Sequence, residues 1–152
     1  MNNFFCLVLL SKCLACSTSQ EETGSKEKSP IEGNWVLVEN VVNGKLVVPV
    51  KSPQFKTFLD GYFNIFMYNP DGSFHGAGAG PYDIDGNKYR ETFEFESNPT
   101  WIGYSDEQEW ELKGDTLITK GFKKVFDREG KVMPPETWGG DLFVEKRVRV
   151  KR

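Results

Sequence analysis

The chain has 152 residues, which is the length of one domain, and 14% of them are aromatic, enough to build a sizeable core. Its net charge is −3, and no basic stripe is present that could bind phosphates, which argues against nucleic acid as a partner. The three cysteines all lie within the first sixteen residues, and His75 is the only histidine. We therefore expect no disulfide in the body of the protein, no metal site and no cofactor.

The chain begins with a short apolar run, FFCLVLL, at residues 4–10. A membrane-spanning helix needs about 20 residues, whereas this run has the length of the apolar part of a signal peptide. The following CLAC, residues 13–16, resembles the lipobox of bacterial lipoproteins. That resemblance implies a signal peptide at residues 1–16 and acylation of Cys16, for example by palmitate. It also implies a lipid anchor in the cell envelope, and Ser17 favours the outer membrane; without use of the lipobox the protein would be secreted.

A polar segment, residues 17–31, separates this leader from the first strand. It is rich in charged residues and contains no aromatic side chain, so it cannot bury enough apolar surface to offset the entropy lost on ordering. We predict that it is a flexible tether. The folded domain would then occupy residues 32–152.

The domain has the pattern of an all-β protein. Turn signals such as Asn43-Gly44 and Gly114-Asp115 recur about every ten residues, between runs rich in β-branched and aromatic residues. The only helical prediction is a short turn near 54–59, after Pro53. An eight-stranded antiparallel up-and-down β-barrel fits this spacing. The predicted strands are 33–42, 45–50, 62–68, 73–84, 88–97, 103–113, 115–126 and 141–150.

Gly33-Asn34-Trp35 leads into the first strand and resembles the glycine-x-tryptophan motif of lipocalins and related calycin barrels. The span 33–152 also resembles uncharacterised bacterial lipocalin-like lipoproteins, in which a hairpin of the GPYDIDGNKYRETFEF type is common. This resemblance implies that Trp35 plugs the closed end of the barrel and that an arginine of the last strand packs over it. Arg147 and Arg149 are the candidates, and Gly33, Trp35 and Arg147 make up the predicted closure.

The interior can be predicted from the alternation of side chains along a strand. In 88–97 one face is mostly aromatic and the other carries Arg90, Thr92, Glu94 and Glu96; in 103–113 Asp106 and Leu112 fall on the inner face. Ligand pockets combine apolar walls with a few polar groups. The predicted ligand-binding residues are Tyr89, Glu91, Phe93, Phe95, Tyr104, Gln108 and Trp110.

Glu91 is unusual because a carboxylate on an aromatic face must be paired or neutralised. Three interpretations are open. Glu91 forms a buried ion pair with Arg147, or it anchors an amine or hydroxyl of a ligand, or water satisfies it.

Two tryptophans fall in loops that the alternation of strands brings to the open end of the barrel. Trp101 lies in the loop 98–102, and Trp138 lies in the loop 127–140. They are predicted to fold down as a hydrophobic cap, to close over a ligand or to contact a partner protein.

The pattern therefore favours a lipid-anchored, lipocalin-like protein that binds a small, hydrophobic or amphipathic molecule. The alternative is an interaction module with a solid core, whose tryptophan-bearing loops contact another envelope protein. A barrel enzyme that uses Glu91 and a tyrosine for acid–base chemistry is the least favoured interpretation, and we expect no enzymatic activity.

Overall fold

The computed structural model describes residues 28–47, 53–134, 136 and 142–151, and antiparallel strands dominate these residues. The predicted signal peptide with Cys16, the predicted tether as far as residue 27, and Trp138 lie outside the described residues. Within the described part of the chain, no helix has the length and apolar character needed to cross a membrane.

The described chain contains eleven strands and one 3-10 turn, Pro99–Trp101. Eight of the strands form the barrel wall, and the other three are two-residue additions to it. The strands are β1 Gly33–Val42, β2 Lys45–Leu46, β3 Gln54–Leu59, β4 Tyr62–Tyr68, β5 Phe74–Asp85, β6 Lys88–Thr92, β7 Phe95–Glu96, β8 Ser105–Lys113, β9 Thr116–Phe126, β10 Val132–Met133 and β11 Phe143–Arg149.

The wall strands pair in the order β1-β3-β4-β5-β6-β8-β9-β11, and β11 pairs with β1 to close the barrel. Every pairing is antiparallel and joins strands that follow one another in the wall, as in an up-and-down barrel. The prediction of an eight-stranded antiparallel barrel is confirmed.

One strand of the wall differs from the prediction. The segment 54–59, predicted as a helical turn, is strand β3, and the predicted strand 45–50 is reduced to β2 among the described residues. A tight hairpin joins β3 to β4 through Asp60 and Gly61, whose φ angles are 50° and 80°. Asp-Gly is a preferred pair for this turn, so the hairpin signal was present in the sequence.

The core fills the end of the barrel at which β1 begins. Here the inward side chains are apolar and largely aromatic, and they pack edge to face: the ring centroid of Phe58 is 5.1 Å from that of Tyr82 and 5.7 Å from that of Tyr89. Polar side chains replace them further along the strands, towards the other end. The buried apolar cluster consists of Ile31, Trp35, Phe58, Phe63, Ile65, Tyr82, Tyr89, Phe93 and Leu117.

The predicted strand 88–97 is interrupted between β6 and β7. Beyond Thr92 the backbone leaves the regular ladder, and the N–H of Phe93 donates to the carbonyl of Tyr104. The interruption reverses the alternation of side chains, so Phe95 is 67% exposed and the carboxylate of Glu96 lies against Gly78. The prediction that Phe95 faces inward is therefore wrong, as is the outward placement of Glu96.

Candidate functional site

The closed end of the barrel is built around Trp35. Its indole is fully buried, and its Nε1 donates a hydrogen bond of 2.8 Å to the carbonyl of Ile31. The guanidinium of Arg149 lies 4.2 Å from the ring centroid and donates to the carbonyls of Glu32 and Pro30. Arg149 therefore ties the segment before β1 to the end of β11.

Gly33 makes this arrangement possible. Its φ angle is +137°, which disfavours any residue with a side chain, and a Cβ atom there would overlap the guanidinium of Arg149. Of the two candidate arginines, Arg149 covers Trp35, so the assignment of Arg147 to the closure is corrected. Residues 28–31, the end of the predicted tether, lie against this end of the barrel, and Ile31 belongs to the core.

Lys56 and Glu91 form an ion pair inside the barrel. Their side chains are each 6% exposed, and the hydroxyl of Tyr89 donates to the same carboxylate oxygen of Glu91. The ammonium group of Lys56 also lies 5.0 Å from the ring centroid of Phe63 and 5.3 Å from that of Tyr89. Of the interpretations of Glu91, the ion pair is the one observed, but its partner is Lys56 and not Arg147.

Arg147 belongs to a second polar group in the interior. Its guanidinium is 2% exposed and donates to the Glu145 carboxylate and to the side-chain carbonyl of Gln54. The hydroxyl of Thr119 contacts the same oxygen of Glu145 at 3.5 Å. The chain thus places two cations and their carboxylate partners inside one barrel.

Asp106 adds a third carboxylate. It is fully buried on β8, directly opposite Glu91 on β6, and one of its oxygens accepts a hydrogen bond of 2.7 Å from the amide of Gln108. The other oxygen, Oδ2, has no hydrogen-bond partner among the described residues, and neither has Nε of Arg147. We call Lys56, Tyr89, Glu91, Asp106, Gln108, Glu145 and Arg147 the interior polar cluster.

The electrostatics of the cluster distinguish its carboxylates. Burial raises the pKa of Asp106 well above its usual range, and the adjacent Glu91 raises this pKa further. Burial also tends to raise the pKa of Glu145, but the charge and hydrogen bond of Arg147, together with Lys56 and Thr119, outweigh it, and that pKa is lowered. Asp106 therefore favours its neutral, protonated form, which can donate a hydrogen bond, whereas Glu145 is held as an anion.

Tyr89 acts as a donor within the cluster. Burial raises its pKa well above 10, and the charge of Glu91 and the hydrogen bond to it raise this pKa further. The charges of Asp106 and Arg147 also affect the pKa of Tyr89. Tyr89, Glu91, Asp106 and Arg147 are therefore close enough to interact electrostatically.

The predicted ligand-binding residues do not all meet in this place. Tyr89, Glu91 and Gln108 are in the cluster, and Phe93 packs against Phe63 in the apolar core. Trp110 also packs against this core, and the other two residues lie apart from it. Trp110 is half-buried and donates to the carbonyl of Gly86 in the β5–β6 turn, Tyr104 packs against Trp101, and Phe95 is on the outer surface.

The loops at the open end contact one another, as the alternation of strands predicts. Arg128 donates to the carbonyls of Thr100 and Ile102, and its guanidinium lies 5.7 Å from the ring of Tyr104. Trp101 is half-buried, with its ring centroid 5.5 Å from that of Tyr104. The described part of the predicted loop 127–140 is thereby joined to the loop 98–102.

Lys56, Glu145 and Gln54 were not predicted from the sequence, and Arg147 was predicted at the closed end of the barrel. Gln54 and Lys56 lie on β3, the strand that was predicted as a helical turn, and Glu145 and Arg147 share the inward face of β11. A signal was present in β11, because alternation places Glu145, Arg147 and Arg149 on one face. In β3 the pattern was misleading, since Phe55 and Leu59 face outward there.

Comparison with known proteins leaves the chain unassigned: no protein-family profile and no curated protein sequence matches it. Among the described residues there is also no group of three or more histidine, cysteine or acidic side chains with the geometry of a metal site. The barrel is compatible with a lipocalin-like fold, and its function has to be argued from the interior polar cluster.

Proposed function

We propose that this protein binds a small, partly apolar molecule inside the barrel, with the polar group of the ligand at the interior polar cluster. The single observation that supports the proposal most strongly is the pair of buried atoms without a partner, Oδ2 of Asp106 and Nε of Arg147. Buried polar groups nearly always have a partner, which is protein, water or ligand. The apolar part of the ligand would contact the aromatic core that lies next to the cluster.

The two atoms without a partner, Oδ2 of Asp106 and Nε of Arg147, indicate which polar group the ligand would carry. Nε of Arg147 is a donor, and Asp106 in its protonated form is also a donor. The carboxylates of Glu91 and Glu145 already accept hydrogen bonds from Lys56, Tyr89 and Arg147. A ligand would therefore present a hydrogen-bond acceptor, such as a carbonyl or carboxylate oxygen, rather than an amine.

The proposal includes a lipid anchor. Acylation of Cys16 would hold the barrel at the cell envelope, at the outer membrane, and residues 17–27 would connect it to the barrel. Labelling with a palmitate analogue tests this part separately: the full chain should incorporate label, and the Cys16→Ser variant should not. Equal labelling of the two chains would contradict the anchor and leave the binding proposal unaffected.

Native mass spectrometry tests the binding proposal. The full chain, produced in bacteria and extracted gently, should retain a small molecule or take up decanoic acid or methyl decanoate, but not decylamine. The Asp106→Leu variant removes the donor from the interior and should lose this mass. Glu109→Gln, an exposed change on β8, is the matched control and should retain it.

The alternative is an interaction module with a filled core. Its supporting observation is that the cluster is largely self-paired, with Lys56 bound to Glu91 and Arg147 to Glu145. Under this alternative water occupies the two free positions. A bare mass for the native chain, with no uptake of any of the three probes, would overturn the binding proposal in favour of the interaction module.

A further inference from the structure

The outer surface of the barrel is divided between an uncharged face and a charged face. On three adjacent strands, β3, β4 and β5, three successive outward side chains of each strand carry no charge. Across the barrel, β8 carries charges at four of its five outward positions, Glu107, Glu109, Glu111 and Lys113. We call the outward surface of β3, β4 and β5 the uncharged face; it consists of Phe55, Thr57, Leu59, Tyr62, Asn64, Phe66, Ala77, Ala79 and Pro81.

The uncharged face carries exposed aromatic rings above a floor of small residues. Phe55 and Phe66 pair across β3 and β4 and are 43% and 47% exposed. Ala77 and Ala79 lie beside them on β5 and form the floor of a shallow groove, of which Phe95 and Ile102 form the far side. Because contiguous exposed apolar surface is uncommon, such a patch indicates a contact.

The opposite wall of the barrel carries ion pairs on its outer surface. Lys123 pairs with Glu109 at 3.3 Å, and Lys124 with Glu107 at 3.8 Å, across β8 and β9. In the order of wall strands, β9 lies four positions from β4 and is thus directly across the barrel. The uncharged face is therefore a property of one side of the barrel and not of its whole surface.

The position of Lys28 and Ser29, where the described chain starts, indicates what would cover the uncharged face. Lys28 and Ser29 line a cleft together with Asp60, Gly61 and Tyr82, at the β3–β4 turn and the end of β5. The chain therefore leaves the barrel at the closed-end edge of the uncharged face. Residues 17–27 span at most about 40 Å when extended, whereas a six-residue strand such as β3 is about 20 Å long.

We propose that the uncharged face lies on the surface of the lipid bilayer, with Phe55, Phe66 and Phe95 at the boundary between headgroups and acyl chains. The inference rests on the membrane attachment in the proposed function, since an anchor at Cys16 would hold the barrel within reach of the bilayer and the chain leaves the barrel beside this face. Uncharged aromatic side chains enter the interfacial region without the desolvation of a charge.

The charge at the border of the uncharged face indicates which class of lipid headgroup the face would contact. The exposed carboxylate of Glu94 accepts a hydrogen bond from the hydroxyl of Tyr62 at the edge of the face. Carboxylates next to the contact would be repelled by an anionic surface. The face therefore fits zwitterionic lipid, and contact should weaken as anionic lipid is added.

A tethered form of the protein allows a direct test. Cys16 is the only cysteine in residues 16–152, so its thiol can be coupled to a maleimide lipid in phosphatidylcholine vesicles. The chemical anchor replaces natural acylation, so failure of acylation does not affect the result. A tryptophan introduced by Phe95→Trp reports on the uncharged face, and Glu111→Trp on exposed β8 is the matched control.

Brominated acyl chains quench tryptophans that lie in the interfacial region. After subtraction of the emission of the parent chain, we expect at least half of the Phe95→Trp signal to be quenched, and less than a tenth of the Glu111→Trp signal. Equal quenching at the two positions would overturn the proposal. So would concentration-dependent dimerisation that Phe66→Ser abolishes, because the face would then bind a second copy. Probe uptake in native mass spectrometry, measured on the same proteins, reports separately on the interior site.

Discussion

Lys56 and Glu91 form an ion pair inside the barrel although β3 and β6 are separated by two other wall strands. Because both side chains are almost fully buried, removal of either partner leaves the other charge in a poorly solvated position. We expect Lys56→Met to lower the free energy of unfolding by about 3–5 kcal/mol. The double variant Lys56→Met, Glu91→Gln should lose less than the sum of the two single changes, by about 2 kcal/mol or more.

An exposed ion pair is the control for this double-mutant cycle. Lys123 and Glu109 lie on the charged side of the barrel, with their side chains 46% and 41% exposed. The coupling energy between Lys123→Met and Glu109→Gln should be at most about 1 kcal/mol. Urea unfolding of all the variants measures both cycles, and equal coupling in the two pairs would contradict the buried arrangement.

The contact between Arg149 and Trp35 should stabilise the closed end. Arg149→Met keeps much of the apolar stem but removes the guanidinium from the indole and from the carbonyls of Glu32 and Pro30. The expected loss is about 2 kcal/mol, from one cation–π contact and two hydrogen bonds. Lys151→Met, which removes an exposed partner of Asp115, should change the unfolding free energy by less than about 0.5 kcal/mol. A similar loss in both variants would show that the Arg149 contact contributes little.

Asp106 should make the protein less stable as the pH rises. Its folded pKa lies above its unfolded value of 3.8, so above pH 4 the unfolded chain releases a proton that the folded chain retains. This destabilisation grows by about 1.4 kcal/mol for each pH unit until the folded pKa is reached. Asp106→Asn removes the titration and keeps the acceptor for Gln108, so the variant should be more stable than the parent at pH 7, with a gain that shrinks towards pH 4.

Asp115 provides a control of opposite sign. The hydrogen bond and charge of Lys151 lower its pKa, so its contribution is present above its unfolded pKa and is lost as the pH falls. Asp115→Asn should therefore give no gain in stability at pH 7. Unfolding curves at pH 4.5, 6 and 7.5 measure both effects, and a gain for Asp106→Asn that does not depend on pH would refute the assignment.

Gly80 is required because the backbone of another segment lies against it. A Cβ atom at this position would overlap the carbonyl oxygen of Thr92, at the interruption between β6 and β7. Gly80→Ala should therefore cost at least about 2 kcal/mol. Gly76 is buried on the same strand, but the nearest atom to its Cβ position is 3.5 Å away, in ordinary contact. Gly76→Ala should change the free energy of unfolding by no more than about 1 kcal/mol in thermal or urea unfolding.

The spacing of turns in the sequence indicated the fold, but alternation located the inward residues of only some strands. Alternation placed Asp106 and Gln108 inside correctly, because β8 is a continuous strand at those positions. It misled in β3, where hydrophobic Phe55 faces outward and Lys56 inward, and beyond Thr92, where the interruption reverses the alternation. Neither the outward position of Phe55 nor the interruption beyond Thr92 could be predicted from the neighbouring residues in the sequence.

The same limit explains the partial prediction of the site. Glu91 was recognised because a carboxylate among aromatic residues stands out, but its partner Lys56 comes from a strand that pairs with different neighbours. Contacts across the lumen of a barrel depend on how strands shear and coil around it. No pattern within a single strand contains that information.

The pairing of β1 with β11 affects the order of events during folding. Trp35 is opposite Arg149 in that ladder, so one side of the first strand has no partner until more than a hundred further residues are available. Contacts of such long sequence separation slow folding because a large loop must close before they form. A ribosome-bound chain that has not yet exposed β11 would leave edges on both β1 and β9 open to other chains. Closure of this barrel thus waits for its last wall strand, and until that strand pairs, both open edges can bind other chains.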